Sequence, residues 1–247
     1  MSVRTVELGR MAYREAYRRQ CDHVEEVLEA REAGTPEIGR ILVVEHEPVI
    51  TISRRQGALG NLLASPEFLA SQGVAIEETD RGGDITYHGP GQLVVYPILD
   101  LNLLNLGLHA YMRLLEQAVI DACGDMRIPA HRDATVTGVW VSPEGIGLEA
   151  QAGAAHSAKI CAMGVRVRKW VSMHGLALNV RTNLDHFRLI VPCGLAGRPV
   201  TSLEREAIAR AVPVPTMEEA GAKLLARLGA AVERVAAEAA GARAAQR

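Results

Sequence analysis

Lysine is nearly missing from this chain: of 27 basic residues in 247, only Lys159, Lys169 and Lys223 are lysines and the other 24 are arginines. Arginine is never deprotonated in a protein, so any proton-cycling amine this chain uses must be one of those three. Cysteine is also sparse. Cys21, Cys123, Cys161 and Cys193 lie far apart with no C-x-x-C pair, which argues against a zinc knuckle or a disulfide framework and for reduced thiols. No run approaches the roughly 18 apolar residues of a membrane span, and Met-Ser-Val-Arg-Thr-Val-Glu has no signal-peptide core, so a cytoplasmic protein is expected. The phosphate-binding glycine patterns of nucleotide folds, the H-E-x-x-H motif and Cys/His metal spacings are all lacking. A net charge of −2 gives no general reason to expect nucleic acid. With 48% apolar and 23% charged residues, the chain is long enough to bury one large core, and one domain over 1–247 is expected.

Glycine is concentrated where chemistry is also dense. Arg81-Gly82-Gly83-Asp84-Ile85-Thr86-Tyr87-His88-Gly89-Pro90-Gly91-Gln92 sets paired glycines beside Arg, Thr, Tyr and His and leads into the apolar run Gln92–Leu99. Glycines permit close approach of a ligand to the backbone, Arg81 suits the polar end of that ligand, and Tyr87 and His88 are placed to flank it. The plainer reading is a turn entering a buried strand.

Around that stretch the periodicities predict an amphipathic helix over Ala12–Ala30 and strands at Arg40–His46, Val49–Ser53 and Val74–Thr79. A short helix is expected at Pro66–Ser71, a longer one from Leu108 to Cys123 stopped by Gly124, and a helical turn at Asn183–Leu189. Gln92–Leu99, apolar throughout, is expected mid-sheet with both faces covered. Thr135–Val141 reads as a strand, and the small, aperiodic stretch Ser142–Ser157 as a surface loop gating access. Lys159–Arg168 and Val171–Val180 read as an antiparallel pair, and Thr216 and Glu219 have capping-box spacing before a terminal helix to about Ala240.

Two cysteines compete as nucleophile. Cys193, between Pro192 and Gly194, sits in a turn that leaves a thiol exposed, whereas the common fate of a free cysteine is an inert buried group. Cys161 is the rival, because strict alternation puts it on the strand face of Lys159. Lys159 itself reads either as a solvated strand-end lysine or as a base.

The Arg81–Gln92 stretch followed by Tyr96 resembles the signature of the bacterial lipoyl(octanoyl) transferases, octanoyl-[acyl carrier protein]:protein N-octanoyltransferases. Lys159-Ile-Cys-Ala-Met-Gly164, His174-Gly-Leu-Ala-Leu-Asn179, Pro192-Cys-Gly194 with the Gly-x-Pro-Val-Thr-Ser-Leu that follows, and the His46 segment are similar to further family segments. Ile50 and Ser53-Arg54-Arg55 depart from the family's usual Tyr and Gly, and the loop before Lys159 is longer. The resemblance implies the mixed α/β (α+β type) fold of biotin and lipoate protein ligases, a mixed sheet with packed helices. It implies Cys193 as the acyl-thioester residue and Lys159 as its acid/base partner. Arg81–His88, Ala162, Met163, Gly164, Gly175, Leu176 and Ala177 would line the acyl site. It further implies octanoyl-acyl carrier protein as donor and, as acceptors, lipoyl domains of 2-oxoacid dehydrogenases and glycine cleavage H protein, with neither metal nor cofactor. An ATP-dependent lipoate or biotin ligase and a non-catalytic carrier- or lipoyl-domain-binding module are the rival readings.

Overall fold

A computed structural model describes residues 3–143, 157–191 and 198–245. Its centre is β6 (Gln92–Leu99), every residue of which is buried. Because side chains alternate across a strand, Leu93, Val95 and Leu99 enter one core while Val94, Tyr96 and Ile98 enter another, so a strand apolar on both faces demands helices on both sides.

That strand lies in a mixed seven-stranded sheet of order β1-β2-β6-β10-β9-β8-β7, comprising β1 (Arg4–Met11), β2 (Gly39–His46), β7 (His131–Arg132), β8 (Val139–Val141), β9 (Ala158–Arg168) and β10 (Val171–Asn179). Only β1 and β2 are parallel in it. Helix α1 (Tyr13–Glu32) covers one face through Ala16, Val24, Val27 and Leu28. Helices α3 (Leu108–Asp125), α4 (Leu203–Ala209) and α5 (Met217–Ala245) cover the other. A second sheet, β4-β3-β5, is formed by β3 (Val49–Ser53), β4 (Ala75–Thr79) and β5 (Ile85–His88). It shares a smaller core with α2 (Pro66–Ser71) and the 3-10 turn Leu184–Leu189.

The expected mixed α/β architecture is present, and local chemistry explains the departures. β1 carries mostly exposed side chains on an edge and was not expected, since its apolar alternation is only Val6 and Leu8, too short to announce a strand. Of Thr135–Val141 only Val139–Val141 is strand: Asp133 Oδ1 accepts from Thr135 N at 2.8 Å and Thr135 Oγ1 at 2.7 Å, and this Asx turn holds the preceding residues in bends. β9 and β10 join through Lys169 and Trp170, both at positive φ (48° and 65°), the conformation of a two-residue hairpin turn that matches strand twist. The box before α5 closes as expected, with Glu219 N donating to Thr216 Oγ1 (3.1 Å) and Thr216 N to Glu219 Oε2 (2.9 Å). The helix itself continues to Ala245.

Gly124 does not stop α3; it is part of the helix. The stop is a Schellman motif, in which Ile128 N donates to Cys123 O and Arg127 N to Gly124 O, with Arg127 at φ 60° in the left-handed position that usually takes glycine. Ile128 and Cys123 both lie in the core beneath it. Arg127→Gly should therefore stabilise the fold by about 0.5–1 kcal/mol, a rise of a few degrees in melting temperature. A calorimetric scan showing an unchanged or lower midpoint would refute the strain.

Candidate active site

The second sheet faces the first, and the loop from Asp80 to Asp84, which connects β4 to β5, reaches across to β9, where Gly82 N donates to Val165 O. Between the two lies a cavity with about 450 Å³ free of protein atoms, part of it open to solvent. Its floor is Val94 of β6, Ala162–Gly164 of β9 and Gly175–Ala177 of β10; its roof is Arg81, Gly83, Thr86 and His88; Tyr13, Tyr96 and His174 close the side nearest α1.

Of the expected lining, Arg81, Gly83, Thr86, His88, Ala162, Met163, Gly164, Gly175, Leu176 and Ala177 do face this cavity. Alternation along β5 sends Ile85 and Tyr87 the other way, into the smaller core, where Tyr87 meets Phe187 edge-on with ring centroids 5.6 Å apart. Tyr87 therefore does not flank the cavity. The Asp84 carboxylate accepts from Asn61 Nδ2 at 2.7 Å, outside the lining, and Gly82 faces a neighbouring groove. Arg81 is turned onto the protein: Nη2 donates to both Thr51 O and Thr51 Oγ1 at 2.9 Å, and Nη1 to Gly82 O at 3.1 Å, so it fastens the loop to β3. Gly82 N donates to Val165 O at 3.0 Å and is committed there, which removes it as an oxyanion donor.

Two glycines set how tightly the loop fits. Gly83 has φ 92°, a conformation costly for any side chain. A Cβ on Gly164 would stand 2.3 Å from Gly82 O, so β9 and the loop touch only because that Cβ is missing.

Tyr13, Val94, Tyr96 and His174 were not among the expected lining residues, yet they form it. Tyr13 is distant in sequence, and His174 faces α1 only because its backbone is left-handed (φ 59°), which no residue pattern announces. His174 Nε2 donates to Asp80 Oδ1 at 2.8 Å, while Asp80 Oδ2 accepts from Tyr17 OH at 2.9 Å and pairs with Arg166. These partners, the His174 hydrogen bond first, hold the Asp80 carboxyl down at about 2. Nearby, His46 Nδ1 donates to Met11 O (3.3 Å), which leaves Nε2 to accept from Tyr96 OH (2.7 Å). Gln92 spends its amide donors on Tyr87 O and Asn179 Oδ1, so its Oε1 accepts from His88 Nδ1 at 2.7 Å and Nε2 of His88 keeps its lone pair. Burial pushes all three imidazoles towards the neutral form, His46 to about 4 and His88 well below its ordinary value.

Lys159 is the second residue of β9 and is only 7% exposed, with Nζ 4.7 Å from the centroid of the Trp140 ring. Its backbone is clasped by the segment that follows residue 197: Lys159 N donates to Pro199 O and Thr201 N to Lys159 O, both at 2.9 Å. Arg198 reaches the same Trp140 ring and pairs with Asp133 at 2.7 Å. On the other flank, Val191 N donates to Asn61 O at 2.8 Å. Cys193 lies outside the described residues, as do His156 and nearly all of the 142–157 stretch.

Cys161 is corrected as a rival. The register against β8 slips between Val139 and Trp140, so Ile160 and Cys161 both turn into the main core, and the alternation that put Cys161 beside Lys159 is broken. Burial pushes its thiol far up, away from the reactive thiolate.

Residues 16–229 match the family model of the lipoyl protein ligase A/B catalytic domain. The chain is 46% identical to an octanoyltransferase of Solibacter usitatus over 197 residues, 80% of each protein. It is 41% identical to one of Bacteroides fragilis over 229 residues, 92% of this chain and 99% of the relative. Among solved structures, a bipartite lipoate protein ligase of Thermoplasma acidophilum, described with its E2 lipoyl domain, superposes with a TM-score of 0.64 at 17% identity (96% and 91% covered). Biotin protein ligase of Aquifex aeolicus superposes at 0.50 and 14% (94% and 71% covered). At such identities these two similarities speak to the fold.

The buried imidazoles in and behind the cavity wall make the protein acid-sensitive. The unfolded chain protonates His46 near 6.5 and the folded one only near 4, so the unfolded state binds more protons in between, and stability is retained above 6.5 and lost as pH falls towards 4. His46 alone should contribute about 3 kcal/mol to that loss. Denaturant melts across this window should show a shallower slope for His46→Gln than for the parent; equal slopes would contradict the buried neutral ring.

Proposed function

The chain belongs to the lipoyl protein ligase A/B catalytic-domain family, as one of its octanoyltransferases, and from that footing we propose a ping-pong transfer through an acyl-thioester on Cys193. The enzyme is an acyltransferase. In this reading the donor is an octanoyl thioester on acyl carrier protein, and the acceptor is a lysine of a lipoyl domain, such as those of 2-oxoacid dehydrogenases and the glycine cleavage H protein.

The observation that carries the reading is that the cavity and the groove lined by Lys159 share Gly83, Met163 and Gly164. A chain lying in the cavity then ends beside the lysine. Along β10 the lining runs from Ala177 to His174, roughly 10 Å at about 3.4 Å per residue, a length suited to a medium acyl chain. Each methylene buried there contributes about 0.8 kcal/mol.

In the first half-reaction the Cys193 thiol gives its proton to Lys159 and the thiolate attacks the donor carbonyl. A C–S bond to Cys193 forms, the bond to the donor sulfur breaks, and Lys159 returns the proton to the departing thiolate. In the second, a neutral lysine amine attacks the new thioester, an amide forms, and Lys159 accepts the proton the nitrogen sheds as the Cys193 thiolate leaves. The thioester brings its own activation, so the scheme needs no nucleotide. Lys159 suits this work because arginine cannot release its proton. Ala162, Gly164, Gly175 and Ala177 support the scheme by leaving room for the chain.

Mixing the protein with octanoyl-carrier protein, without ATP, should add one octanoyl mass to the parent and to Cys161→Ser but none to Cys193→Ser. The reverse pattern, or a strict ATP requirement, would overturn the reading. Lys159→Arg should acylate about a hundredfold more slowly, the usual worth of a general acid-base group. Near-parental turnover would mean that the site needs only a charge.

A further inference from the structure

We propose that the groove along the open edge of β9 binds the arm of the acyl donor: a slender, uncharged chain carrying amides and ending in the thioester sulfur, as in pantetheine. This rests on the thioester reading above and extends it to a part of the donor that the acyl cavity does not touch.

The groove offers about 870 Å³ free of protein atoms, part of it open to solvent, between β9, the start of α3 and the bends before β8. It meets the acyl cavity at Gly83, Met163 and Gly164, with Lys159 in its lining. An acyl chain in the cavity places its carbonyl at this junction, and whatever is bonded to the sulfur must continue outwards along the groove.

The backbone of the groove suits an amide. Strand β8 covers β9 only as far as Cys161. Four residues on, Val165 O is taken by Gly82 N. A strand's N–H and C=O groups alternate sides. Cys161 O faces the β8 side, 2.8 Å from where a Gly138 Cβ would stand, and Val165 O faces Gly82, so Met163 N–H and C=O point to the same edge between them. No strand lies against Met163 on that side among the described residues. This bracketed gap is a short template for an extended amide chain, the geometry by which peptides add to a sheet edge.

The side chains suit the rest of the arm. Leu108, in the first turn of α3, is 52% exposed although it is apolar, and with Met112, Val136 and Val165 it gives the groove a greasy wall. Thr135 and Thr137 add hydroxyls, and among the described residues no carboxylate lines it. The wall is set in advance: buried Asp133 holds Thr135 by two hydrogen bonds and Arg198 by a third, and Gly138 N donates to Glu116 Oε1 at 3.2 Å. Fixed walls bind a flexible arm better than walls that must be ordered at the same time.

Two readouts test the assignment. Octanoyl-pantetheine and the octanoyl ester of ethanethiol carry the same acyl group with and without the arm. The parent should acylate more efficiently with the first. Leu108→Arg at an exposed position and Val136→Trp at a half-buried one, both narrowing the groove, should cut kcat/KM for the pantetheine ester about tenfold more than for the ethanethiol ester, a loss equivalent to roughly one good hydrogen bond. Separately, unacylated pantetheine should slow hydrogen exchange at the Met163 amide several-fold in the parent. Equal losses on both esters with unmoved Met163 exchange would overturn the proposal. So would loss confined to transfer onto a lipoyl domain, because the groove would then serve the acceptor lysine. If the parent takes octanoyl from neither ester, the thioester reading fails, while Met163 exchange still decides whether the groove takes the arm.

Discussion

One carboxylate holds the site together. Asp80 ends the stretch after β4 and immediately precedes Arg81, and it is bound by Tyr17 of α1, Arg166 of β9 and His174 of β10. Those three come from the covering helix and from the sheet that floors the cavity, so the roof loop is registered against both. An ion in such a place is a poor source of net stability, since desolvation offsets most of the Coulomb gain. Its value is positional. Losing one partner would leave a charge half buried and let the glycine loop drift from the gap that Gly164 keeps open. Arg81 repeats the logic on the other side, with its guanidinium spent on Thr51.

Much of this fold is written in periodicity, because long elements with one apolar face announce themselves. The two-faced strand Gln92–Leu99, the hairpin at Lys169-Trp170 and the Thr216–Glu219 box all stand where residue spacing puts them. What escaped notice lacked such a face. β1 is an edge strand with exposed side chains, and its pairing is decided by β2 rather than by its own sequence. The strand before β8 was shortened by one buried aspartate, a side-chain effect that residue propensity does not carry.

The site was legible in its glycines and less so in its walls. Local sequence located the Arg81–His88 stretch but could not tell its two faces apart until the strand phase of β5 was fixed, which is why Ile85 and Tyr87 fall in the core. The burial of the Cys161 thiol turned on a single extra residue in β9. A one-residue bulge reverses facing for everything beyond it, and alternation read from sequence assumes there is none. Tyr13 and His174 join the cavity through tertiary contact alone.

In the proposed reading, the cavity lined by two imidazoles and two phenols takes a hydrocarbon chain because of where its polar atoms point. Tyr96 OH is turned to His46, Tyr13 OH meets Thr79 Oγ1 at 2.7 Å, His174 Nε2 serves Asp80, and His88 Nδ1 serves Gln92. Polar groups already paired with protein demand no water, and His174 Nδ1 is the buried ring nitrogen of this wall left without a partner among the described residues. Tyr13 and His88 stack with centroids 6.1 Å apart, and Tyr96 and His174 meet edge-on at 6.4 Å, so the wall is a sheet of ring surfaces. Burial favours the neutral form of the imidazoles, so these rings add no cation to the wall beyond Arg81, whose guanidinium is turned onto Thr51 and Gly82. The same pairing fixes the rings against one another, and a rigid wall sets the depth available to a guest more sharply than flexible aliphatic side chains do.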